Sequence, residues 1–176
     1  MFNKYLIPDK MFHNIYEITP DFLLSKGIKA LVCDIDNTLV TYDDPEPTPS
    51  VLEWFKKMND AGISIAFISN NSSPERVDTF NKNLGYVSHS KSGKPSPKFV
   101  LWAIEQMKAD KSSCAMLGDQ LLTDICAGKR AGIYTICVRP IKDKRTPFFR
   151  AKRLIEVPYV RKYHKKHPDE EEINLR

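Results

Sequence analysis

Residues 28–40 read IKALVCDIDNTLV. Ala30, Leu31, Val32 and Cys33 form a wholly apolar run, the signature of a strand buried on both faces of a parallel sheet. The run leads at once into Asp34 and Asp36, two carboxylates two residues apart. Buried Asp is rare unless it is paired or holds a metal, because an unpaired charge removed from water is costly. For the DxD pair alone the competing reading is a turn capped locally by Asn37 and Thr38.

Outward from this stretch, strand and helix periods alternate. TPDFLLSKG, with Thr19 as N-cap, Pro20 at N1 and Gly27 as a stop, predicts a helix over 20–26, followed by a strand over 29–35. A Pro-rich loop over 43–50 precedes an amphipathic helix over 50–60, with Val51, Leu52, Phe55 and Met58 on one face and Gly62 closing it. Residues 63–68, ISIAFI, read as a second buried strand. Ser72 and Glu75 suggest a capping box opening a helix that runs to about Leu84. A short third strand (GYVSH), a helix over 97–108, a fourth strand over 114–118, a helix over 122–131 and a fifth strand over 132–138 complete the pattern. Five strands alternating with helices through short links predict a parallel sheet covered on both faces, a three-layer α/β fold. Ligands of such sheets bind beyond the carboxyl ends of the strands. Asp34 and Asp36, Ser69 and Asn70, Lys94, and Asp119 all fall at that rim.

The 176 residues suit one core of ordinary size, and 41% hydrophobic with 28% charged residues describe a globular chain. No apolar run is long enough to span a bilayer, and the first residues lack a signal-peptide apolar region, so a cytoplasmic protein is expected. Cys33, Cys114, Cys126 and Cys137 form no CxxC pair and read as small buried hydrophobes. The net charge of +5 is uneven: residues 1–138 carry 15 basic and 16 acidic residues, whereas 139–176 carry 12 and 6. That contrast divides the chain into a core over 1–145, including an N-terminal extension, and a basic tail over 146–176.

At the rim, Asp119 and Asp124 in GDQLLTD bring the acids to four. Carboxylates converging on one cleft repel unless a hard cation sits among them, and oxygen ligands without His or Cys favour Mg²⁺ over zinc. Ser69 and Asn70 add short hydrogen-bonding groups before a helix start, a setting that favours an anion. Lys94 adds a cation. A nucleophilic carboxylate, a second to move a proton, a metal, a lysine and phosphate donors together suit phosphoryl transfer.

DIDNTLV, ISNN, GKPSP and GDQLLTD, in this order, resemble the four motifs of the haloacid dehalogenase-like superfamily of phosphohydrolases, over about residues 28–140. The closest resemblance is to the YqeG-type branch of its subclass IIIA, which is similar to mitochondrial phosphatidylglycerophosphate phosphatases. The resemblance implies a Rossmann-like fold with strand order 5-4-1-2-3. It implies that Asp34 attacks phosphorus to give an aspartyl-phosphate, that Asp36 protonates the leaving alkoxide and then activates water, and that Lys94 steadies the nucleophile and the developing charge. Ser69, Asn70 and Lys94 would bind phosphate. Asp34, the main-chain carbonyl of Asp36, and Asp119 would hold Mg²⁺, with Asp124 supporting metal-bound water or Lys94.

Only 32 residues separate Asp36 from Ser69 and 24 separate Ser69 from Lys94, which leaves no room for a cap domain and predicts an open cleft. The expected activity is Mg²⁺-dependent phosphomonoester hydrolysis, with phosphatidylglycerophosphate as the preferred substrate. The alternatives are a phosphatase for a small soluble phosphoester, such as a sugar phosphate or nucleotide, and a non-enzymatic module that binds phosphate or a partner. The tail TPFFRAKRLIEVPYVRKYHKKH interleaves basic and aromatic residues. It reads as a packed helix with a solvated basic face or as a peripheral contact with an anionic membrane. No nucleic-acid module is recognisable. The oligomeric state is not legible.

Overall fold

The computed structural model describes residues 2–142 and 146–175; the side chains of Phe2, Asn3 and residues 147–150 lie outside that description. Asp143 and the core–tail boundary at residue 145 therefore fall outside it, as do the side chains of Phe148, Phe149 and Arg150 in the tail.

Six strands form one parallel sheet: β1 (Lys10–Phe12), β2 (Ala30–Cys33), β3 (Ser64–Ile68), β4 (Val87–His89), β5 (Cys114–Gly118) and β6 (Tyr134–Val138), in the order β1-β6-β5-β2-β3-β4. The five expected strands keep the order 5-4-1-2-3, and the sixth adds an edge beside β6. Three residues with one buried side chain, Met11, carry too little apolar pattern to announce a strand. Asp9 holds it instead: its Oδ2 accepts from the main-chain N–H and the hydroxyl of Thr135, each at 2.8 Å, and its Oδ1 pairs with Lys129 at 2.5 Å.

All four residues of β2 are buried, and strand alternation divides them between two apolar layers. Leu31 and Cys33 face α2 (Pro49–Asp60) and α3 (Pro74–Asn81) through Val51, Trp54, Phe55, Met58, Val77 and Phe80. Ala30 and Val32 face α4 (Lys98–Gln106) and α5 (Cys126–Ala131) through Val100, Ala103, Ile104, Ala127 and Ala131. The short α1 (Pro20–Ser25) is capped by Thr19, whose hydroxyl accepts from Phe22 N–H.

Three local expectations are corrected. On α2 the buried row is Val51, Trp54, Phe55 and Met58, whereas Leu52 is 44% exposed; the indole of Trp54 earns the inner place by donating to the Ile18 carbonyl at 3.0 Å. Ser73, not Ser72, caps α3, which ends at Asn81 because the Asn81 amide turns back to the main chain of Tyr86. The helix expected over 122–131 begins as a π-helical turn, Leu121–Ile125, before α5.

The basic tail forms α6 (Pro147–Lys166), which packs on the sheet edge. Tyr163 is fully buried with Met11, Leu121, Ile125, Cys137, Ile173 and Leu175. Its hydroxyl accepts from Met11 N–H at 3.0 Å and donates to Glu170 at 2.6 Å. All four cysteines are buried and free. No helix among the described residues is long and apolar enough to cross a membrane.

Candidate active site

The carboxyl ends of β2, β3, β4 and β5 open into a cleft of about 300 Å³ lined by Asp34, Asp36, Ser69, Asn70, Lys94 and Asp124, among others. No domain is inserted between these elements; residues 36–94 hold only loops, α2, α3, β3 and β4.

Asp34 follows β2 directly, its N–H donating to the Leu117 carbonyl of β5 at 2.9 Å. Its Oδ1 receives Lys94 Nζ at 2.6 Å and its Oδ2 receives the Thr38 hydroxyl at 3.2 Å. The chain turns sharply after Asp36 because Asn37 adopts a left-handed conformation, φ 71°. The Asn37 amide secures the turn by donating to the Lys142 carbonyl and accepting from Lys142 N–H.

Lys94 is buried and held by three acceptors: Asp34, Asp124 Oδ1 at 2.8 Å and the Ile68 carbonyl at 2.9 Å. Asp124 therefore stands against Lys94, and its other oxygen accepts from Gln120 N–H at 3.0 Å. The Asn70 side chain shapes the loop that carries Lys94, accepting from Lys94 N–H and Ser92 and donating to the Lys94 carbonyl. Ser69 Oγ accepts from Asn71 N–H at 3.0 Å.

Carboxylate oxygens of Asp34, Asp119 and Asp124 lie within 4.8 Å of one another, all three residues buried. Burial pushes the Asp34 carboxyl up to about 8, opposed by Lys94 and reinforced by Asp124 and Asp119. Asp119 is raised to about 6 by burial, opposed by Arg153 and reinforced by Asp124. Burial alone would lower Lys94; Asp124 and Asp34 outweigh it and hold the ammonium above its ordinary range. Raised carboxyls mark repulsion and lost hydration that a cation would relieve. Among the described residues, the buried acids Asp34, Asp36, Asp119, Asp124 and Glu156 stand around this cluster with the paired cations Lys94, Arg76 and Arg153, and Lys152 also lines the cleft. The excess of carboxylates and the all-oxygen donor set fit one Mg²⁺.

Five contributors go beyond the site residues picked out in sequence, although Thr38 and Asn71 lie inside DIDNTLV and ISNN. Thr38 reaches Asp34. Asn71 donates to Asp36 Oδ2 at 3.1 Å. Arg76, in the first turn of α3, puts Nε and Nη2 on Asp36 Oδ1 at 3.1 and 2.9 Å. Arg153 and Glu156 arrive on α6 and engage the Asp119 loop. The position of Arg76 was open to inference, since the start of a helix after a strand end faces the same rim. Arg153 had no such signal.

Residues 14–132 match the family of haloacid dehalogenase-like hydrolases. The "Probable phosphatase YqeG" of Bacillus subtilis (strain 168) is 38% identical over 156 residues, spanning 89% of this chain and 90% of that one. In fold, the chain resembles NagD from E. coli K-12, with TM-score 0.53 and 17% identity over 69% of this chain and 93% of that one. It likewise resembles an uncharacterized protein from Listeria monocytogenes serotype 4b, with TM-score 0.55 and 20% identity over 68% and 85% of the two chains.

Proposed function

The chain belongs to the haloacid dehalogenase-like hydrolases and is a phosphatase of that family, and we propose that it hydrolyses phosphomonoesters through an aspartyl-phosphate on Asp34, with Mg²⁺ in the cleft. The observation that carries this reading is the setting of Asp34: a buried carboxylate between Lys94 and Thr38, with Asp119 and Asp124 beside it.

In this mechanism a carboxylate oxygen of Asp34 attacks phosphorus as the bond to the leaving oxygen breaks. Asp36 gives that oxygen a proton. Asp36 then takes a proton from water, whose oxygen attacks phosphorus and releases phosphate and the Asp34 carboxylate. Arg76 and Asn71 aim the Asp36 carboxylate for both transfers. Lys94, fixed by Asp124, balances charge at Asp34. The Ser69 hydroxyl and the main-chain N–H of Asn70 bind phosphate, the Asn70 amide being committed to the Lys94 loop. Asp34, the main-chain carbonyl of Asp36, and Asp119 would hold Mg²⁺, which draws charge from the phosphoryl oxygens.

The substrate we favour is a lipid head-group phosphate, phosphatidylglycerophosphate. Support comes from an uncapped cleft that α6 flanks: Lys152 lines it, and Leu154 and Ile155 are 61% and 55% exposed nearby in sequence. The polar lining itself, Ser69, Asn70, Asn71, Gln120 and Thr123, suits a small soluble phosphoester equally, and that is the second reading. Phosphate release from lipid and soluble phosphomonoesters, with Mg²⁺ and with chelator, tests the activity and ranks the substrates. Silence across the panel, with metal bound, would leave the phosphate-binding module as the surviving reading.

A further inference from the structure

Asp119 is held from behind by a residue 34 positions further along the chain. Arg153 donates to Asp119 Oδ2 at 2.5 Å, to the main-chain carbonyl of Asp119 at 2.8 Å and to Glu156 Oε2 at 2.8 Å. Glu156, three residues on along α6, is 1% exposed, and its other oxygen accepts from Leu122 N–H at 3.1 Å. The loop that carries Asp119 is thus gripped at a side chain, a carbonyl and an N–H by one ion pair of α6. The remaining oxygen, Oδ1, lies 3.4 Å from Thr38 Oγ1, the hydroxyl that also reaches Asp34.

A guanidinium held in this way is a fixture. To vacate Asp119 it would have to break a main-chain contact and leave Glu156 buried without its cation, which is strongly unfavourable. Ligating carboxylates are oriented by such outer partners, whose loss typically weakens metal affinity about 10–100-fold. Resting on the divalent-metal reading of the cleft, we infer that Arg153 is the positioning residue for Asp119: it occupies Oδ2 and the carbonyl so that Oδ1 is presented to the metal. The docking of α6 is therefore part of metal affinity.

Coulomb repulsion alone makes the opposite forecast, since deleting a positive charge beside a cation site should tighten binding. The sign of the change therefore decides. Mg²⁺ is titrated calorimetrically into metal-free full-length protein, wild type and variants, without substrate. Arg153→Met is expected to weaken the Kd about 10–100-fold. The double variant R153M/E156Q, which does not leave Glu156 buried as an unpaired charge, is expected to do the same and carries the test where the single variant does not fold. Tyr163→Phe, which removes two hydroxyl contacts from the same helix, is expected to lower Tm and leave the Kd unchanged. An unchanged or tighter Kd in the double variant overturns the inference. If the wild type releases phosphate with Mg²⁺ while the variants keep its Kd, the inference falls and the phosphatase reading stands. A wild type with no Mg²⁺ binding overturns both.

Discussion

Gly118 ends β5 against the flank of Asp124, and a Cβ there would stand 2.3 Å from the Asp124 Cβ and 2.6 Å from its Oδ2. No side chain fits unless Asp124 moves, and Asp124 holds both Lys94 and the Gln120 N–H. Gly118→Ala should therefore cost about 1–3 kcal/mol through overpacking and lower kcat with it. A urea melt and a rate at saturating substrate check both; wild-type values in both would mean that the loop yields freely. Asp34→Asn is the complementary change. The near-isosteric amide keeps the shape but cannot attack phosphorus, so turnover should vanish while the melting transition persists. Activity in the purified variant would dismiss Asp34 as nucleophile. Asp34, Asp36, Ser69, Asn70 and Asp119 were readable because each lies just past an apolar run whose end is itself readable. Arg153 was not, and Arg76 was so only through its place at a helix start. A charged residue on a helix looks solvated in sequence, and only the packing of α3 and α6 turns these two inward.

Strands β2, β3, β5 and β6 were legible because a strand buried on both faces must be continuously apolar. Edge strand β1 was hidden, since Asp9 anchors it by hydrogen bonds to Thr135 and not by apolar burial. Asp9→Ala should accordingly cost about 1–3 kcal/mol, measured as a lower denaturant midpoint with an unchanged slope. A midpoint equal to the wild type's would mean that Met11 suffices to seat the strand. The π turn at 121–125 was equally hidden, because helix periodicity does not distinguish it from an α-helical start. Helix α6 changes how a truncation must be read. Cutting the chain at 147 would remove the tail that in sequence reads as a packed helix or as a membrane contact. It would in fact also remove Arg153 from Asp119 and Tyr163 from its buried site. Loss of activity on every substrate is the expected result, so truncation does not test a membrane role.

Across the whole molecule the excess positive charge is outward-facing toward the far end of α6, where Arg161, Lys162, Lys165 and Lys166 are exposed. These four are separate from the catalytic groups. Reversing them to Glu should weaken binding to anionic vesicles by roughly a hundredfold or more, since each basic residue near such a surface contributes about 1 kcal/mol. The specificity constant for a soluble phosphoester should stay within about twofold. Undiminished vesicle binding and hydrolysis of phosphatidylglycerophosphate by this variant would remove the membrane role of α6. The contact between β1 and α6 has a further meaning in time. Met11 and Tyr163 meet across 152 residues of sequence, and Arg153 reaches Asp119 across 34. Synthesis proceeds at about 5–20 residues per second, so a growing chain completes β6 about 0.75–3 s before Arg153 exists. The acids are gathered first and braced last. If Arg153 positions Asp119 as inferred, the unfinished chain would hold metal less tightly until α6 has been made.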